Sequence, residues 1–119
     1  MLGRVSLSKR GAEIFDPSVK TLHVKTVRLD TLIKKFKLEH VDLVKMDIEG
    51  AEYEILTDPT LDLSNIYNIL VEVHYKYESK EFRDIIQSLA KHGFKIVPLY
   101  ISKESDGHHL LACRGEIPW

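Results

Sequence analysis

The chain has 119 residues, 44% hydrophobic and 29% charged, the balance of a soluble globular domain that buries about two-thirds of its surface. A formal net charge of -1 gives no footing for nucleic acid or an anionic membrane, and the single cysteine, Cys113, excludes an intrachain disulfide. No apolar run approaches the ~20 residues of a membrane span, and MLGRVSLSKR lacks the apolar core of a signal peptide. The expectation is one cytoplasmic domain over 1–119, with neither nucleic-acid nor membrane partner.

Residues 1–29 read as short strands and loop. RVSLS and LHVKTVRL alternate in part, and FDPSVK between them carries a turn signal at Asp16-Pro17. Asp30 has the chemistry of a helix N-cap ahead of Leu32, Ile33 and Phe36 at helical spacing. Val41 to Ile48 predicts a strand apolar on both faces, as an interior parallel strand is. Glu49-Gly50 turns the chain, and Ala51, Ile55 and Leu56 give a short helical face ending before Asp58-Pro59. Ile66 to Val73 predicts a second buried strand. Ser79 caps a helix with Phe82, Ile85, Ile86 and Leu89 on one face, and Gly93 closes it. Phe94 to Ile101 predicts a third strand, joined through Asp106-Gly107 to a returning strand, His109 to Arg114. From residue 30 the order is helix, strand, helix, strand, helix, β-hairpin. Such alternation implies an α/β fold: parallel strands with crossover helices and a C-terminal antiparallel hairpin at one edge.

The run VKMDIEGAE, residues 44–52, sets charges at the end of an apolar strand. Unpaired charge is costly in a core, whereas a strand's carboxyl end opens onto the ligand-binding crevice of an α/β sheet. If the two central strands are neighbours, Asp47, Glu49, Glu72 and His74 converge there. Gly50 permits the sharp turn. Plainer readings exist for each residue. Glu49 and Glu52 suit a helix start, Lys45 can snorkel or pair with a carboxylate, and Glu72 and His74 can be an ordinary edge pair. His108 and His109 point to opposite strand faces and read as a hairpin flank. Cys113 reads as a small core residue, and Trp119 as terminal packing.

VDLVKMDIEGAEYEIL, with TVRLDTLIKKFKLEHVD before it and NILVEVH after it, resembles the FkbM-type methyltransferases in order and spacing. The likeness covers about residues 22–100. It implies a Rossmann-like domain that uses S-adenosylmethionine for transfer of a methyl group, usually to oxygen, with this chain as its C-terminal half over 30–119. Carried over, Asp47, Glu72 and His74 are the catalytic candidates, with His74 the general base. Asp47 and Glu49 face the cofactor, and Glu49, Glu52 and Tyr75 face a small-molecule methyl acceptor. No metal site is assigned, although Asp47 and Glu72 are chemically able to hold a divalent ion.

The sequence also departs from that family. The glycine-rich turn that grips the cofactor is absent; Gly3, Gly11, Gly50, Gly93, Gly107 and Gly115 stand isolated. Strand 43–48 would then lie at an open edge, covered by residues 1–29, by a second copy, or by a missing N-terminal half. The alternative to an enzyme is thus a non-catalytic half-domain that dimerises or completes a site with a partner. A third reading is a metal-dependent hydrolase built from Lys45, Asp47, Glu49 and Glu72.

Overall fold

A computed structural model describes residues 2–4 and 22–115. In chain order its elements are β1 (Leu2–Arg4), β2 (His23–Lys25), α1 (Leu29–Lys35), β3 (Val44–Met46), α2 (Glu52–Leu56), β4 (Asn68–Val73), α3 (Lys80–Lys91), β5 (Lys95–Tyr100) and β6 (His108–Cys113). Trp119 and most of RVSLS lie outside the described residues.

Four strands form one mixed sheet in the order β3-β4-β6-β5. β3 and β4 are parallel and joined through α2, while β6 runs antiparallel to both of its neighbours. The hairpin therefore does not sit wholly at the margin: β5 is the edge, and β6 lies between it and β4. β1 and β2 form a separate antiparallel pair.

β4 is central because its sequence suits that place. Ile69, Val71 and Val73 are fully buried, while Asn68, Leu70 and Glu72 on the alternate face are half-buried. β3 differs from the expectation for an interior strand. Its regular part is three residues, extended by a bridge from Val41 to Ile66. Met46 is buried, but Leu43 and Ile48 are exposed. Among the described residues β3 pairs with β4 alone, so one side of it is open.

α3 follows its sequence closely. The Ser79 hydroxyl accepts from the Phe82 N–H at 3.2 Å, and Phe82, Ile85 and Leu89 are buried while Ile86 is half-buried. Gly93 adopts φ 88° just past the C-cap, a conformation that disfavours side chains. At α1 the cap expectation is corrected. Arg28 is the N-cap residue, and Asp30 lies inside the first turn. Its carboxylate accepts from the Thr31 N–H at 2.9 Å, the Asp62 N–H at 3.0 Å and both forks of Arg28. Arg28 also reaches Asp58 at 2.9 Å, so the knot fastens α1 to the loop after α2. On the other side, Arg114 donates to the carbonyls of Leu63, Ile66 and His92, and its guanidinium lies 4.1 Å over the Phe94 ring. These two arginines fix the loop that carries the chain into β4.

Candidate active site

The site forms where β3 and β4 end side by side. The register pairs Met46 with Val71, so the next residues out, Asp47 and Glu72, are level. His74 follows Glu72 at an alternate position and shares its face. The chain after β3 must reverse within a few residues to start α2. It does so through Glu49 at φ 52° and Gly50 at φ 102°. Gly50 tolerates this freely; Glu49 does not, and a strained side-chain-bearing residue at a strand tip is a frequent mark of a functional turn. The Tyr75 hydroxyl donates to the Gly50 carbonyl at 2.6 Å and ties the turn to the end of β4.

Glu52 organises what lies above it. It opens α2 and is 0% exposed. One carboxylate oxygen accepts from the Gly50 N–H at 2.8 Å; the other accepts from the His74 N–H at 2.6 Å and faces His74 Nδ1 at 3.1 Å. A buried carboxylate needs such donors. An ionised carboxylate only accepts; Nδ1 beside it then carries the hydrogen, and in a neutral ring the lone pair is on Nε2.

That nitrogen points at the other carboxylates. Glu72 Oε1 lies 3.4 Å from Nε2, Asp47 Oδ1 3.8 Å and Glu49 Oε1 3.9 Å. None of these approaches makes a hydrogen bond. His74 is itself only 12% exposed, whereas Glu49 is 86% exposed and overhangs the mouth. Among the described residues no lysine or arginine forms an ion pair with any of the four carboxylates. Lys45 is exposed on the strand, so the lysine that a hydrolase reading needs is not joined to the cluster.

The structure thus brings together Asp47, Glu49, Glu52, Glu72 and His74, with Tyr75 against the turn. Glu52 lies beneath the site, its carboxylate engaged by the backbone and the ring. The hairpin-flank histidines have a register that the sequence did not show. His109 stands opposite Glu72 in the β4–β6 ladder and is exposed, while His108 is buried with its Nδ1 accepting from the Ser102 N–H. The hairpin register, unknown from sequence, carries that information.

The chain is thus an α/β domain with a mixed sheet and a carboxylate-rich cluster at adjacent strand tips, the end of a sheet at which open α/β folds bind ligands. Comparison with known proteins then fixes the family. Residues 4–96 match the family described as the Methyltransferase FkbM domain, and the chain belongs to it. The hexuronic acid methyltransferase AglP of Haloferax volcanii is 29% identical over 79 residues, covering 66% of this chain and 33% of that protein. The chain therefore spans about a third of the length of the curated relative it matches. No solved structure matches. Among the described residues no helix is long and apolar enough to cross a membrane.

Proposed function

We propose that this chain forms the methyl-transfer end of an S-adenosylmethionine-dependent methyltransferase, the C-terminal half of a Rossmann-like domain. The observation that carries the reading is the convergence of Asp47, Glu49, Glu72 and His74 at the tips of β3 and β4. The family match over residues 4–96 supports it. Such a cofactor supplies an electrophilic methyl group on a cationic sulfonium. The cluster suits that end of it: carboxylates line the mouth, and none is paired with lysine or arginine among the described residues. It does not suit the adenosine and amino-acid ends, for which the described residues offer no glycine-rich turn.

The chain's own residues would do three things. Asp47 and Glu49 orient the donor by charge. Asp47, Glu72 and His74 orient an acceptor hydroxyl and take its proton; alignment of the attacking oxygen is the larger task in a substitution at carbon. Glu52, held under the ring by two backbone N–H groups, keeps the imidazole in one orientation. The acceptor is a small molecule, transfer is to oxygen, and hexuronic acids are the first to test, since the relative's name specifies that substrate.

A transfer assay with methyl-labelled donor tests this reading. The expected result is label on a sugar hydroxyl, with His74→Ala lowering the rate at least ~100-fold. A folded protein that transfers nothing to any acceptor contradicts it. That outcome would favour a second reading, suggested by the open side of β3: a non-catalytic half-domain that pairs with another chain through that edge.

A further inference from the structure

The cluster contains a nitrogen without a hydrogen-bond partner among the described residues, and this leads beyond the methyl donor. His74 is seven-eighths buried, its Nδ1 is engaged by buried Glu52, and its Nε2 points between Asp47 and Glu72. Nothing donates to that nitrogen among the described residues. In a neutral ring three acceptors therefore face one another across a small gap, an arrangement that is repulsive until something positive fills it.

The spacing suits a metal ion. One ligand atom each from Asp47, Glu72 and His74 lies within 4.8 Å of the others. Hard divalent cations hold ligands at about 2.0–2.6 Å, which puts adjacent ligand atoms roughly 3–3.7 Å apart and opposite ones roughly 4–5 Å apart. The two measured approaches, 3.4 and 3.8 Å from Nε2, are in or just beyond the adjacent range. The support beneath the site is an independent observation. A metal-bound histidine usually passes its other ring N–H to a carboxylate, which fixes the ring and its tautomer; Glu52 stands in that relation to Nδ1 at 3.1 Å. Asp47 and Glu49 reach solvent, which leaves an entry path and room for water ligands.

We propose that Asp47, Glu72 and His74 bind one divalent cation of the manganese type, with Glu52 as the residue that orients His74. Two carboxylates and one imidazole are intermediate between the all-oxygen sets of magnesium and calcium and the nitrogen-rich sets of zinc and copper. The assignment concerns the same cluster as the proposed function but does not depend on methyl transfer. It also changes one role: with a cation on Nε2, His74 is a ligand and no longer a base.

The test is manganese binding by the purified chain, followed by loss of the free-ion electron paramagnetic resonance signal. The expected result is one Mn2+ per chain, with nitrogen coupling in the bound-ion spectrum. Asp47→Asn should weaken binding at least tenfold, and His74→Gln should abolish the nitrogen coupling. Glu52→Gln should weaken binding about 10–100-fold through its effect on the ring. Mn2+ should raise the melting temperature of the wild type and not of Asp47→Asn. If His74→Gln loses the fold, Asp47→Asn carries the test, because that side chain is half exposed and outside the core. No binding by a cooperatively melting chain overturns the assignment. So does binding at several equivalents that Asp47→Asn leaves unchanged, which marks an adventitious ion only. Either failure leaves donor binding and methyl transfer open to their own assays.

Discussion

Two buried carboxylates set the character of this molecule at the scale of single residues. Glu52 sits at a helix start, as the sequence suggested, and is also a hub, because its two oxygens serve Gly50 and, 22 residues on, His74. Glu52→Ala leaves two backbone N–H groups without an acceptor and should destabilise the fold by about 3 kcal/mol, read from urea unfolding at pH 7. An unchanged midpoint would mean that water replaces the carboxylate. Asp30 is the second. The hydrogen-bonded Arg28 guanidinium, helped by the Asp62 and Thr31 N–H groups, holds its carboxyl well below the usual carboxylate range. The unfolded chain, with an aspartate pKa of about 3.9, thus binds a proton that the folded chain refuses. The Asp30 contribution is complete above that pH and is lost as pH falls toward the lower folded value. Asp30→Asn should therefore lower stability at pH 6 and flatten its decline between pH 4 and 2, measured by unfolding midpoints across that window. A parallel decline in both proteins would remove Asp30 from the acid response.

At the scale of elements, α3 shows what local sequence can carry. Its cap, its apolar spacing and its terminating glycine are all encoded within fifteen residues, Ser79 to Gly93. Ser79→Ala should cost about 1 kcal/mol and Ile85→Ala about 2–5 kcal/mol, both read by chemical denaturation; reversal of that order would mean that α3 is held by its ends more than by its face. α1 and β3 were less legible for the opposite reason. Asp30 looked like a cap because capping is a local rule, whereas its partners Arg28 and Asp62 are brought in by the fold. Val41 to Ile48 looked buried on both faces because composition does not say which neighbours are present. The candidate site was legible where residues follow one another at strand ends, as Asp47, Glu49, Glu72 and His74 do. It was illegible where register decides, as with His109 opposite Glu72.

At the scale of the whole molecule, the sheet is finished on one side and open on the other. β5 has an irregular register between Pro98 and Tyr100, and such irregularity on an edge strand discourages further pairing. β3 has no comparable protection among the described residues, and Leu43 and Ile48 are exposed beside its free edge. We expect concentration-dependent association through this edge in sedimentation velocity, reduced by Leu43→Lys. A wild-type chain that stays monomeric at all concentrations would mean that the edge is covered.

The measurement closest to the central claim is a backbone amide NMR titration of the chain with S-adenosylmethionine, which registers binding even at millimolar strength. A separate groove lies between α3 and β5, lined by Tyr77, Ile86 and Ile96. The account predicts saturable shifts at Gly50, Glu52 and His74, weakened by Asp47→Asn, with that groove unaffected. Shifts confined to that groove, or none from a folded chain, would contradict the placement of the methyl donor at the tips of β3 and β4.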